Sequence, residues 1–179
     1  MLGVGRGILD APLSVVYITA RLEAAPYARK FIFFEEAAMM IRIAKPDDVD
    51  IISANDIWIS RETLLGKIAE EYVYVVFDDD KFVGWLRYGL FWDNTPYMNM
   101  LYLLEQYRGK GLGRQLVEFW ENEMSSKGYK LLLTSSSQIE HAQHFYAKLG
   151  YKAIGSFTLG NEQLEIMFMK AIRSCLKFI

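Results

Sequence analysis

Residues 72–104 limit the fold more than any other stretch. They hold three apolar runs, "YVYVVF", "FVGWLRYGLFW" and "YMNMLYLL", separated only by the polar turns "DDDK" and "DNTP". Aromatic and β-branched residues favour strands, and polar connections this short close hairpins. The segment therefore predicts three consecutive strands. The third runs straight into "EQYRGKGLGRQL", residues 105–116, a loop with three glycines and three basic residues. Beyond it Leu112, Leu116, Phe119 and Trp120 begin an apolar helical pattern, which predicts a helix over 112–126 stopped near Gly128.

A glycine-rich turn that feeds a helix N-terminus suits an anion, usually a phosphate. Glycine lets backbone N–H groups approach the ligand closely, and the helix end favours negative charge. Two competing phosphate motifs fail here. G-x-x-x-x-G-K-[ST] is absent, and Leu116 stands where G-x-G-x-x-G needs its third glycine. On these residues alone, a solvated turn with basic residues on a surface face remains the alternative.

The rest of the chain supplies the other elements. "MIRIAKPDDVDII" reads as strand, turn and helix start, with Pro46 and two aspartates suited to a helix N-terminus. "SRETLLGKIAEEY" opens on Ser60 as an N-cap and predicts a second helix. "YKLLLTSSS" is a strand with a polar end. "IEHAQHFYAKLG" is a helix with Gly150 in the C-cap position. "YKAIGSFTL" and "EQLEIMFMKAI" close the chain as strands around "GNEQ". The order is β-α-α-β-β-β-α-β-α-β-β, an α/β (α+β) arrangement in a single domain over 40–179.

Residues 1–39 show little periodicity and read as an N-terminal extension. Glu35-Glu36 requires purine-rich codons two codons before Met39, like a bacterial ribosome-binding site ahead of a start. The expectation is that translation begins at Met39 or Met40 and that 1–39 are not part of the native product. A helical N-terminal arm is the alternative, and the intact mass of the natively expressed protein decides between them.

Composition excludes several functions. Net charge is −2, so no general attraction to nucleic acid or an anionic membrane is expected. No apolar run approaches the ~20 residues of a membrane span. One cysteine, Cys175, allows no internal disulfide, and with two histidines it offers no zinc set. The chain reads as a soluble cytoplasmic protein without a metal.

Two segments resemble one family. Arg108-x-x-Gly111-x-Gly113 is similar to the Q/R-x-x-G-x-G/A motif of the GNAT superfamily of N-acetyltransferases. "AQHFYAKLGY", residues 142–151, resembles that superfamily's A-x-x-F-Y-x-K-x-G-F/Y helix. The resemblance covers about residues 40–172. It implies a GNAT-like mixed, mostly antiparallel central sheet flanked by helices, with acetyl-CoA as co-substrate. It also implies that backbone groups of Arg108, Gly109, Lys110, Gly111, Leu112, Gly113 and Arg114 hold the pyrophosphate, with charge from Arg108, Lys110 and Arg114. In such proteins the strand before the loop separates from its neighbour and grips the pantetheine arm. By motif offset those backbone groups belong to Leu101 and Leu103, whose side chains need only pack.

The resemblance places Tyr146 near the CoA sulfur as general acid. A phenol with an ordinary pKa of about 10 is a sensible donor to a departing thiolate. Many relatives carry Asn where Ile139 stands, so Ser135, Ser136, Ser137 or Gln138 is expected to replace that contact. Asp93, in the "FWDNTP" turn beside Trp92, is the choice for base or amine anchor. Tyr97 and Asn99 share strand parity with Leu101, which predicts one common face. His144 falls on nearly the opposite helix face from Tyr146, and neither Glu140 nor His141 is favoured as the base. Trp58, Tyr72, Tyr74, Trp85, Tyr88, Phe91 and Trp92 are expected in the core.

The implied activity is direct acetyl transfer from acetyl-CoA to a primary amine on a small molecule or peptide, by a monomer or homodimer. A non-catalytic acyl-CoA-binding or interaction module on the same scaffold is the alternative, as is a transferase using a different acyl-CoA.

Overall fold

The computed structural model describes residues 16–18, 31–34 and 37–172. The strands are β1 (Val16–Ile18), β2 (Phe31–Phe34), β3 (Ala37–Ile43), β4 (Val73–Asp78), β5 (Lys81–Phe91) and β6 (Thr95–Leu103). They continue with β7 (Leu131–Ser137), β8 (Lys152–Phe157) and β9 (Glu165–Ala171). The helices are α1 (Val49–Ser53), α2 (Arg61–Ala69), α3 (Leu112–Ser126) and α4 (Ala142–Lys148). From β3 onward the order is the one the sequence predicts. The described pieces of the N-terminal segment are strands rather than a helix. β1 and β2 pair antiparallel and extend the sheet beyond β3.

Ser60 caps α2 as expected, its hydroxyl accepting the Thr63 backbone N–H at 3.1 Å. Gly128 and Gly150 follow α3 and α4 with φ of +89° and +88°, a conformation that costs other residues more.

All nine strands form one sheet in the order β1-β2-β3-β4-β5-β6-β7-β9-β8. Every pairing is antiparallel except β6 with β7. α3 makes the crossover between those two strands, which is why they run parallel. α3 and α4 cover one face, where Leu116, Val117, Trp120 and Met124 pack with Tyr146 and Leu149. α1 and α2 cover the other, where Ile52 and Leu64 pack on Val75 and Trp85.

Four buried tyrosines make the fold sensitive to alkali. Burial pushes the Tyr74, Tyr88 and Tyr151 phenols up, and that of Tyr146 up to about 12. Folded phenols that hold their protons above an unfolded value of about 10 contribute stability below that pH. The contribution is lost as pH climbs from about 10 toward the folded values. In an alkaline titration followed by phenolate absorbance and circular dichroism, these four are expected to ionise with unfolding, after the exposed tyrosines. A single smooth phenolate transition in still-folded protein would contradict that burial.

Candidate functional site

The site begins with a register break. Arg87 pairs with Met100 and Tyr88 with Met98, so Asn99 is an extra, unpaired residue in β6. A bulge of this kind bends its strand and adds twist. β7 pairs with β6 only at Tyr97–Leu133 and Met98–Thr134. Past Met98 the two strands diverge into a fork.

The exposed edge of β6 follows from alternation. The Leu104 N–H donates to the Val83 carbonyl of β5 at 2.9 Å. Neighbouring residues point the other way. The backbone groups of Leu101 and Leu103 therefore face the fork, while their side chains pack in the α3/α4 core. The bulge also corrects the expected parity. Tyr97 and Asn99 lie on the α1/α2 face, and Leu101 lies on the opposite one.

Gly111 is the N-cap of α3, with φ +82° and ψ −9°. Gly109 is also left-handed, at φ +73°. No heavy atom lies within 4 Å of where a Cβ would stand at either position. The backbone of this loop is open, and the first turn of α3 leaves its N–H groups without intrahelical partners. Gly113 instead sits in ordinary contact range of Phe145 and Leu103. The basic residues diverge. The Arg108 Nε donates to the Leu103 carbonyl at 2.7 Å, and its guanidinium lies 5.3 Å from the Tyr102 ring centre. The Lys110 ammonium stands 5.9 Å from the Tyr107 ring centre. Arg114 makes a loose, exposed pair with Glu118 at 3.9 Å. Arg108 thus ties the loop to the lip of the fork as well as carrying charge.

Tyr146 is buried, its ring among Phe145, Tyr151 and Phe168. Thr134 stands close enough to oppose the rise of the Tyr146 pKa, and Thr134 Oγ1 donates to the Met98 carbonyl at 3.1 Å. The phenol therefore stands at the apex of the fork. Burial raises its pKa, and the Thr134 contact opposes that rise only in part. The proton is held more firmly than the unperturbed phenol of the sequence reading. Two residues along β7, the buried Ser136 hydroxyl has no hydrogen-bond partner. That orphaned group lies past the last β6 pairing, where a polar ligand arm would satisfy it. His144 is exposed, on the helix face away from Tyr146.

On the α1/α2 face a groove of about 460 Å³ adjoins the fork. Gly89, Leu90, Phe91, Tyr97 and Asn99 form its floor, and Trp58, Ile59, Thr63 and Lys67 form one wall. The Tyr97 hydroxyl donates to Ser135 Oγ at 2.7 Å, which bridges β6 to β7 beside the fork. Arg87 also lines the groove. Its Nε and Nη2 contact Asp56 Oδ2 at 3.1 and 3.0 Å, while Asp56 Oδ1 accepts the Trp58 N–H. Trp58 is 74% exposed and Trp92 82% exposed, so neither belongs to the core as the sequence suggested. Both lie in connections rather than in strands or helices.

Asp93 is at the tip of the β5–β6 hairpin, exposed and outside the lining of the groove. Trp92 and Asp93 have φ of +49° and +60°, and the Asn94 N–H donates to the Phe91 carbonyl. Positive φ at both central residues is the hairpin turn that matches strand twist, and aspartate tolerates it. Sequence reasoning missed Lys67, Arg87 and Asp56, which sit on three separate elements or loops with no motif linking them. Among the described residues no helix is long and apolar enough to cross a membrane, and no metal-binding cluster occurs.

Residues 69–153 match the model of the acetyltransferase (GNAT) domain family. No curated protein matches the sequence. Among solved structures, the chain is similar to Ard1 from Thermoplasma volcanium, with a TM-score of 0.67 and 14% identity over 75% of this chain and 98% of that one. It is similar to PaiA N-acetyltransferase from Thermoplasma acidophilum in complex with coenzyme A, with a TM-score of 0.62 and 20% identity over 75% and 99%. It is also similar to a GNAT-family acetyltransferase from Bacillus cereus, with a TM-score of 0.62 and 21% identity over 74% and 96%.

Proposed function

We infer that this chain, which carries a GNAT acetyltransferase domain, transfers an acetyl group from acetyl-CoA directly to a primary amine, with residues 40–179 as the acyl-CoA-binding unit. The observation that best supports this is the β6–β7 fork, with a phenol at its apex and an open glycine loop at its lip.

Acetyl-CoA supplies an activated acyl thioester. The chain's own groups divide the remaining work. The loop N–H groups from Gly109 to Arg114 offer donors to the pyrophosphate, where the α3 dipole favours negative charge. Backbone groups of Leu101 and Leu103 offer hydrogen bonds to the pantetheine arm, and a Leu101 N–H would polarise the thioester carbonyl. The Ser136 hydroxyl is a candidate for the contact missing at Ile139. As the amine forms its C–N bond the C–S bond breaks, and sulfur takes up a proton. The proton lost from nitrogen passes to water. A phenol raised to about 12 binds its proton more tightly than a thiol near 8.5. Tyr146 is therefore suited to donating a hydrogen bond to developing thiolate charge while retaining its proton through most of the step. Asp93 acts in this scheme as a turn former. A screen of thiol release from acetyl-CoA against an amine library tests the reading. Acetyl-CoA binding without thiol release from any amine would make the chain a binding module instead.

The loop's part is separable by shape and charge. Gly111→Val places a β-branched residue at φ +82°, a strain of roughly 1–2 kcal/mol that is relieved by moving the loop. Acetyl-CoA affinity is expected to fall by about tenfold or more in calorimetry. Arg108→Ala is expected to cost about 1–3 kcal/mol. Normal affinity in the Gly111 variant would remove the loop from the cofactor site.

A further inference from the structure

We propose that the groove on the α1/α2 face recognises a small acceptor amine by an anionic group, as in a hydrophobic amino acid bearing a free carboxylate. This deepens the acetyltransferase reading and rests on it.

The charge of the groove carries the argument. Among the described residues, the charged groups that line it are Lys67 and Arg87, and no carboxylate does. Asp56, the counter-charge of Arg87, is taken up by Arg87 and by the Trp58 N–H, with its side chain fully buried. Lys67 has no ion pair among the described residues, and its ammonium lies 5.3 Å from the Tyr72 ring centre. A second observation places that ammonium over the floor. A Cβ at Gly89 would come within 3.2 Å of Lys67 Nζ and 3.3 Å of Asn99 Oδ1. The missing side chain lets a cation and a carboxamide converge on one spot beside the fork. A carboxylate accepts a hydrogen bond from the ammonium, while Asn99 Oδ1, itself an acceptor, receives a donor such as the acceptor amine. A polyamine would meet the Lys67 ammonium there with no carboxylate among the described lining residues to offset it. Apolar surface from Trp58, Ile59 and Phe91 lies within reach for a hydrophobic side chain. The volume suits an amino acid rather than a folded partner. The acceptor amine would then lie toward Tyr97, which is bonded across the fork.

The test compares phenylalanine, phenylalaninamide, phenethylamine and a phenylalanine-led dipeptide as acceptors for the full chain with acetyl-CoA. Calorimetric binding of phenylalanine to the CoA-loaded protein is measured alongside. The acid is expected to exceed the amide and the decarboxylated amine in kcat/KM by about 10–100-fold, the range for a hydrogen bond to a charged group. Lys67→Ala should collapse that preference and abolish phenylalanine binding. Gly89→Ala keeps the charge but crowds both polar heads, and should weaken binding of the acid more than of the amide. Equal use of acid and amide, equal loss of both in Lys67→Ala, or preference for the dipeptide would overturn the proposal. Thiol release from amines lacking carboxylates alone would overturn it while leaving acetyl transfer standing. Lys67-dependent phenylalanine binding without thiol release from any amine would sink the transfer reading and leave the anion site in place.

Discussion

Tyr146→Phe is expected to lower kcat by about 10²–10³-fold, the loss of one hydrogen-bond donor to developing charge, while acetyl-CoA affinity changes by no more than a few fold. The substitution removes one hydroxyl and keeps the ring among Phe145, Tyr151 and Phe168. With that ring packing kept, the variant should stay folded. The pH profile supplies a second readout. The rate should rise with pH as the ammonium of the acceptor, whose pKa lies above neutrality, loses its proton. Because the Tyr146 phenol is pushed up to about 12, its own ionisation should not cut that rise short at lower pH. Turnover unchanged in the variant would return Tyr146 to a packing role and leave the developing thiolate without a protein hydrogen-bond donor.

Gly84→Val is expected to be the most damaging substitution to the fold. Gly84 of β5 pairs with Leu103 of β6. A Cβ there would collide with the Tyr102 carbonyl and come within 2.8 Å of a Leu103 methyl and 3.0 Å of its Cα. Two of those three contacts are backbone, so no rotamer change relieves them. Overpacking usually costs about 1–3 kcal/mol, and a backbone collision belongs at or above the upper end. At roughly 2–4 °C per kcal/mol for a chain of this size, Tm should fall by about 6–12 °C. Thermal unfolding by circular dichroism checks this. A Tm within a degree or two of the parent would mean that β6 can slide off β5 without penalty, and that the lip of the fork is softer than its pairing suggests.

The order of elements was legible because each run obeyed one period. "YVYVVF" and "YMNMLYLL" carry the strand signal in their composition. α3 announces itself by Leu112, Leu116, Phe119 and Trp120 after a glycine cap. The loop and Tyr146 were legible because two motif segments fix them in sequence. The groove was not. Lys67 comes from α2, Asp56 from the α1–α2 connection and Arg87 from β5, and only tertiary structure gathers them. The parity of Tyr97, Asn99 and Leu101 failed for a single reason. Counting by twos assumes an unbroken ladder, and nothing in "YMNML" marks the extra residue. Trp58 and Trp92 failed because hydrophobic character predicts burial only on average, and large apolar residues in connections often stay outside.

The bulge at Asn99 divides β6 into two stretches that answer to different neighbours. Before it, odd-numbered side chains meet the groove; after it, odd-numbered side chains meet the helices of the other face. Substitution at Tyr97 or Asn99 therefore changes the groove. Substitution at Leu101 or Leu103 changes the packing behind the glycine loop. Under the proposed acceptor site, substitution at one end of this nine-residue strand would change the choice of acceptor while the other end is held constant.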